Sequence, residues 1–209
     1  MAAGVIRNTV FINNTCTAGG GGGLTVAPHS NYLQPMALEN VLLVNNKAGN
    51  EGGGLHVLPQ YAEAQQPIVL RGLTVTGNTA KLGGGIAIQG NVVSLEHSIL
   101  FGNSDSQTGG TSGDQFWTSS SASNKSKVKW TLCNGDEGEF GDPGLKVNGG
   151  NGFFPGSDGN LDGDPLFVTG PKGGWYLAQV AAGQGKNSPA VDPAAGAAVG
   201  GFAWGARTT

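Results

Sequence analysis

Short groups of alternating aliphatic and polar residues recur along the chain, each ending near an asparagine or aspartate. Five segments align without gaps at offsets of 32, 32, 25 and 33 residues, and they read "IRNTVFINN" from Ile6, "LENVLLVNN" from Leu38, "LRGLTVTGN" from Leu70, "LEHSILFGN" from Leu95 and "VKWTLCNGD" from Val128. After the first three, a glycine run leads into a second short group, "LTV", "LHV" or "IAI". This period, with several short strands and no helical pattern, predicts a solenoid of stacked β-coils whose corresponding strands form parallel sheets, with rungs about 4.8 Å apart.

Numbering the aligned positions one to nine defines columns that would stack from coil to coil. Columns one and six are aliphatic apart from Phe11 and Cys133, which predicts that both point into the core. Column nine holds asparagine in the first four coils, at Asn14, Asn46, Asn78 and Asn103. Stacked asparagines form amide ladders between neighbouring strands, so this column predicts such a ladder.

Column two carries a charge in every coil, and the sign alternates down the stack. Its members are Arg7, Glu39, Arg71, Glu96 and Lys129. Opposite charges on neighbouring strands stabilise a sheet, whereas like charges would repel. We therefore interpret this column as a structural feature and not as catalytic machinery.

Columns five and seven hold mostly apolar residues, although alternation points them outward. Their members include Val10, Leu42, Ile99 and Leu132, then Ile12, Val44 and Phe101. An outward apolar stripe needs a cover. The candidates are a second protein or the C-terminal segment, which contains Trp175, Tyr176, Leu177, Phe202 and Trp204.

The glycine runs at 21–23, 52–54 and 83–85 recur with the period of the coils. They lack the Lys-Ser/Thr of a phosphate-binding loop. A flexible linker would not keep this period. We interpret the runs as tight, ordered corners where a side chain would block the stacking of neighbouring coils.

Composition narrows the range of functions. The 209 residues include 39 glycines, 38% are hydrophobic, and the net charge is only −3. No cluster of basic residues exists to neutralise phosphates, which argues against nucleic-acid binding. No run of 18 apolar residues could span a membrane, and no signal peptide is visible in this chain. Because the first residues read as the middle of a repeat, we expect a fragment of a longer protein.

The only two cysteines are Cys16 and Cys133. Four rungs would separate them by roughly 19 Å, whereas a disulfide needs Cα atoms within about 7 Å. Two free thiols are predicted, with Cys133 in the core and Cys16 near the surface.

Phe11 to Asn14, followed by a glycine run and an aliphatic residue, resembles the FxxN and GGA[ILV] repeats of polymorphic outer-membrane proteins. "NLDGDPLFV" at 160–168 and "SPAVDPAAG" at 188–196 resemble the closing region of secreted bacterial β-helix proteins. The resemblance implies a right-handed parallel β-helix over residues 1–209, with coils near 6, 38, 70, 95 and 128 and a loop-rich C-terminal cap at about 140–209. We expect five to six coils and a secreted or cell-surface location.

The family contains surface, adhesive and carbohydrate-associated proteins, and some polysaccharide lyases share the fold. The main hypothesis is a non-catalytic structural, adhesive or glycan-binding module. The alternatives are a fragment of a polysaccharide lyase or hydrolase, and a subunit that self-assembles through its coil ends or its apolar outer stripe. The partner would be a polysaccharide or cell-surface glycan, or a second copy.

One segment, "DGNLDGD" at 158–164, matches the opening of a calcium loop. Oxygen ligands at alternating positions can surround one hard cation, which makes Asp158, Asn160, Asp162 and Asp164 the candidate ligands and Ca²⁺ the candidate cofactor. The position that should be the bidentate glutamate is Thr169, and Pro165 interrupts the loop. The alternative is a polar turn that Asp164 orders before Pro165.

The segment at 104–126 reads as a long polar excursion between coils four and five. Its aromatic residues Phe116 and Trp117 could stack on a sugar ring or anchor the segment to the core. The histidines His29, His56 and His97 have no acidic partner at comparable columns, so no catalytic residue is predicted.

Overall fold

The computed structural model describes residues 4–27, 36–58, 68–90, 93–106, 114–118, 127–133, 159–171 and 173–190. These residues form an all-β parallel solenoid, as predicted, together with one antiparallel pair of strands, Phe167–Gly170 and Gly173–Leu177. Their only helical element is a 3₁₀ turn at Val180–Ala182. No helix among them is long and apolar enough to cross a membrane.

Nineteen strands follow in chain order, most of them only two to four residues long. They are β1 Val5–Ile12, β2 Thr15–Cys16, β3 Leu24–Val26, β4 Ala37–Val44, β5 Lys47–Ala48, β6 Leu55–Val57, β7 Ile68–Arg71, β8 Thr74–Thr76, β9 Thr79–Ala80, β10 Ile86–Ile88, β11 Val93–Glu96, β12 Ile99–Phe101, β13 Ser104–Asp105, β14 Phe116–Thr118, β15 Lys127–Lys129, β16 Leu132–Cys133, β17 Leu161–Asp162, β18 Phe167–Gly170 and β19 Gly173–Leu177.

Three parallel sheets run along the solenoid. Sheet A has nine strands and contains the aligned repeats, from β1 at one end to β15 and β17 at the other. Sheet B stacks β2, β5, β9 and β13, and sheet C stacks β3, β6, β10 and β14. The first four coils thus contribute strands to all three sheets, while β15 to β17 extend sheet A beyond them. The register agrees with the sequence alignment, since Ile6 pairs with Leu38 and Leu38 with Leu70.

Column three is a corner that divides sheet A along its length. Its residues have a left-handed backbone in every coil, with positive φ at Asn8, Asn40, Gly72, His97, Trp130 and Gly159. After this corner, the alternation of inward and outward side chains begins again. Column four therefore points inward along with columns one and six, and Val41 and Leu73 are buried in the core beside Leu38 and Leu43.

The asparagine ladder is confirmed. The backbone N–H and Nδ2 of Asn14 both donate to Oδ1 of Asn46, at 3.0 Å each. Asn46 donates in the same way to Asn78, and Asn78 to Asn103. Gln115 extends the ladder, because its Oε1 accepts from Nδ2 of Asn103 at 2.7 Å. At each joint between two asparagines, the residue of the earlier coil donates and Oδ1 of the next coil accepts. At the last joint Nε2 of Gln115 also donates back to the carbonyl of Asn103, at 3.2 Å.

The alternating charges of column two lie in register, as predicted, since each basic residue pairs with an acidic one on the neighbouring strands. Arg71 and Glu96 form an ion pair of 2.9 Å. Partial burial favours the neutral form of Glu96, but hydrogen bonds from Arg71 and Ser94 hold the pKa of its carboxyl below the usual value. Because Arg71 is largely exposed, such a pair adds at most about 1 kcal/mol to stability.

The C-terminal segment covers part of the apolar outer stripe. Ile99 and Leu132 form a second hydrophobic cluster with Leu177 and Ala190. Phe101 meets Phe167 edge to face, with ring centroids 6.3 Å apart. The predicted contribution of Leu177 is confirmed, whereas Phe202 and Trp204 lie outside the described residues.

Both cysteines are free thiols, and Cys133 is buried, as expected.

The segment at 104–126 is not only a polar excursion between coils, as the sequence suggested. It contains β13 and β14, the strands of coil four in sheets B and C. The polar sequence "SDSQTGGTSGDQ" did not predict these strands, because β13 is only two residues long and contains no aliphatic residue.

The glycine runs are corners stacked directly on one another. Gly53 donates to the carbonyl of Gly83 and Gly54 to that of Gly85, at 3.2 and 2.9 Å. Gly52 has a φ of 62°, which favours glycine. A Cβ at Gly53 would lie 2.3 Å from the carbonyl oxygen of Gly84 and 2.5 Å from that of Thr79. The predicted stacking of the corners is confirmed, and their order stays a prediction.

We predict that Gly53→Ala destabilises the protein by about 3 kcal/mol or more, because the methyl group would meet only backbone atoms that cannot move independently. Gly185→Ala is the control, since a Cβ there meets nothing within 4 Å. Urea unfolding followed by circular dichroism measures both. Equal midpoints for the two variants would show that the corners are loosely packed.

Candidate functional site on the outer face of sheet C

The outer face of sheet C carries residues that differ from coil to coil. Its middle column stacks Thr25, His56, Ala87 and Trp117 in register. One hydroxyl, one imidazole, one methyl and one indole thus lie at successive rungs, about 4.8 Å apart. Since the column does not repeat, stacking alone does not explain its residues.

His56 points outward from β6 but is only 4% exposed. The glycine corner of coil one covers it, because a Cβ at Gly20 would lie 2.0 Å from Nδ1 of His56. Gly20 must therefore lack a side chain for the ring to fit. Among the described residues, Nε2 of His56 is the one buried side-chain nitrogen or oxygen without a hydrogen-bond partner.

Two polar side chains flank the imidazole. The carboxylate of Glu51 and the side chain of Gln89 both favour the charged form of the imidazole. Nε2 of Gln89 lies 3.4 Å from Oε1 of Glu51. Column comparison did not find this acidic neighbour because Glu51 lies outside the aligned strands. Aligning the glycine corners would have found it, since Glu51 directly precedes Gly52 and the corner turns back over β6.

Burial has the largest effect on the pKa of His56. It disfavours the imidazolium and lowers the pKa of His56 below the ordinary 6.5, although Glu51 and Gln89 act in the opposite direction. The imidazole is therefore neutral at pH 7. Because the corner at Gly20 covers the ring, a dissolved substrate cannot approach it in this conformation.

The two aromatic residues of the predicted binding segment lie on opposite faces of β14. Phe116 is fully buried in the main core. Trp117 occupies the outer column next to Ala87 and is partly exposed. Of the pair, only Trp117 presents a ring to the outer face.

Asn160 and Asp164 of the predicted calcium loop form hydrogen bonds with backbone groups. Asn160 is buried, and its amide accepts from the N–H of Thr131 at 3.1 Å and donates to the carbonyl of Val128 at 3.0 Å. Asp164 accepts from the N–H of Leu166 at 2.7 Å and so orders the turn. Asp162 is exposed, and Asp158 lies outside the described residues. In the part of the chain that the structure describes, no group of three or more His, Cys, Asp or Glu could hold a metal ion.

A second aromatic feature lies at the corner of sheet A. The rings of His97 and Trp130 stack with centroids 4.9 Å apart and an angle of 15°. On the other side of the indole, a Cβ at Gly159 would lie 2.0 Å from Cδ1 of Trp130. Both faces of Trp130 are thus occupied within the protein. This stack supports the left-handed backbone of two bulky residues at the corner.

No family model, curated protein or solved structure matches the chain. The parallel β-solenoid is shown by the structure itself. The resemblance to polymorphic outer-membrane protein repeats stays a prediction, as does the right-handed coiling that it implies.

We predict that His56 makes stability depend on pH. Its pKa is lower in the folded than in the unfolded chain, so the unfolded state binds more protons in the interval between the two values. The stability that neutral His56 contributes is full above pH 6.5 and is lost as the pH falls through the folded pKa. Urea unfolding at pH 7.5 and pH 5 measures the loss.

In this experiment His56→Gln should lower the loss of stability on acidification. An identical loss in wild type and His56→Gln would show that His56 does not titrate with folding.

Proposed function

We propose that this chain is a non-catalytic β-solenoid module of a secreted or cell-surface protein and that it binds a polysaccharide along the outer face of sheet C. The observation that carries the proposal is Trp117, an indole on the outer face of a rigid parallel sheet. Its ring faces outward and is partly exposed, next to the small side chain of Ala87. An aromatic face in such a position suits the apolar face of a sugar ring.

The repeating polar residues support a non-catalytic role. The asparagines of the ladder and the Arg71–Glu96 pair contact neighbouring coils. Side chains engaged in this way contribute to stacking and are not available to a substrate. Binding is then left to positions that do not repeat, and Trp117 is the largest of these on sheet C.

His56 and Glu51 are the residues that favour the alternative function, a fragment of a polysaccharide lyase or hydrolase. An imidazole beside a carboxylate is a common acid–base pair. The burial of His56 beneath Gly20 argues against it, because proton transfer to a substrate requires hydrogen-bond distance. The structural and glycan-binding role is therefore the better supported of the two.

A glycan array with purified protein tests the proposal. We expect binding to one or more polysaccharides, and we expect Trp117→Ala to weaken it about tenfold or more, as truncation of a central aromatic contact does. Trp130→Phe is the matched control, since the ring of Trp130 stacks inside the protein and should not contact the ligand. Equal binding by wild type and Trp117→Ala would contradict the proposed site, and an array without any binding would contradict the function.

Repeating the array with a chelator tests the calcium hypothesis separately. Loss of binding that added Ca²⁺ restores would support a metal held by the 158–164 loop. Unchanged binding would show that glycan binding needs no metal in this loop and would favour the alternative of a polar turn.

A further inference from the structure

His56 is a buried ionisable side chain to which neither the stacking of coils nor the proposed function assigns a role. It lies in the outer column of sheet C beneath the glycine corner of coil one, residues 19–23, and only 4% of it is exposed. Gly20 lies directly over the ring, because a Cβ there would be 2.0 Å from Nδ1. The imidazole is thus enclosed by a segment that has no side chains of its own.

The enclosure suits a neutral imidazole and not an imidazolium. A protonated ring carries an N–H on both nitrogens, and each needs an acceptor. Nδ1 faces the backbone of Gly20, and Nε2 has no hydrogen-bond partner in the part of the chain that the structure describes. A buried charge without partners costs free energy, so protonation favours a conformation in which water reaches the ring.

One carboxylate offsets part of this cost. Of the described side chains, Glu51 is the only titratable one whose charge acts on His56, and it favours the imidazolium together with the side chain of Gln89. The neighbouring strands bring no charge, since Thr25 and Ala87 pair with His56 in the column. Burial outweighs both favourable contributions and lowers the pKa of the enclosed imidazole below the ordinary 6.5.

Backbone hydrogen bonds hold the corner of coil one on coil two. Gly21 donates to the carbonyl of Glu51 at 2.8 Å, and Gly22 donates to that of Gly52 at 3.1 Å. The five consecutive glycines at 19–23 bury no side chain, and their backbone regains much freedom when it is released. Opening of this segment therefore costs less than unfolding of the aliphatic core.

We propose that His56 is an acid-sensitive latch, in which protonation of the imidazole lifts the corner at 19–23 off coil two and exposes the ring while the aliphatic core stays folded. In the open form water surrounds the ring and its pKa is the ordinary 6.5, whereas the closed form binds the proton less readily. Acid therefore shifts the equilibrium toward the open form as the pH falls below 6.5. This inference is independent of glycan binding on sheet C.

Native-state hydrogen exchange of the wild type at pH 7.5 and pH 5, corrected for the intrinsic rates, tests the latch. The amides of Gly21 and Gly22 should lose protection severalfold at pH 5. The limit is about thirtyfold, the factor that a group with a pKa of 6.5 in the open form contributes over this interval. Gly53 and Gly54 are the matched reference, because their corner stacks on coil three, where Ala87 occupies the position of His56.

The variant His56→Gln separates the latch from other effects of acid. Its amide is polar but does not titrate, so the corrected protection of Gly21 and Gly22 should be the same at both pH values. An equal loss of protection in wild type and His56→Gln would overturn the proposal. A parallel loss at Gly53 and Gly54 would also overturn it, because acid would then unfold the solenoid and not the corner alone.

The two native thiols provide a second measurement that needs no variant. A Cβ at Gly19 would lie 3.2 Å from Sγ of Cys16, so lifting the corner uncovers this sulfur, whereas Cys133 is buried in the core. With a pyridyl disulfide, which reacts with thiols in acid, labelling of Cys16 relative to free cysteine should rise from pH 7.5 to pH 5 while Cys133 stays unlabelled. Constant relative labelling of Cys16, or labelling of both thiols together, would contradict the latch.

Discussion

Every coil of this protein must lie one strand spacing from the next along its whole circumference. Sheets A, B and C hold the same coils in register, and the glycine corners between them are hydrogen-bonded to one another as well. A displacement in one sheet would therefore disturb the other two. The choice of residues at most positions follows from this requirement.

The corners show the requirement most clearly. At the glycine runs neighbouring coils approach too closely for a side chain, whereas at column three the left-handed backbone also carries asparagine, histidine and tryptophan. At Gly53 the coils lie so close that even a methyl group would overlap the next coil. Trp130, at column three, has a large side chain instead. Its ring fills the space over Gly159 and stacks on His97. Stacking does not dictate the residues of the outer column of sheet C, and the proposed function concerns this surface.

The sequence predicted the features that repeat and missed those that do not. The aliphatic columns, the asparagine ladder, the charge alternation and the two free thiols depend on one period, and that period is visible in the residues. The corner at column three escaped prediction because a left-handed backbone is common for Asn8 and Gly72 but rare for Trp130. The contact of His56 with Glu51 and Gln89 escaped because the three residues lie on different parts of two coils. β13 escaped because pairing in register, and not its own composition, makes it a strand. β14 escaped because it is only three residues long.

Native-state hydrogen exchange measures the central claim, that in-register stacking orders the corners as firmly as the strands. The amides of Gly53 and Gly54 should exchange about as slowly as that of Leu43 in β4, because each donates to a carbonyl of the next coil. The amide of Gly185, in an exposed part of the C-terminal segment, provides the fast reference. Exchange of Gly53 and Gly54 at the rate of Gly185 would contradict the account.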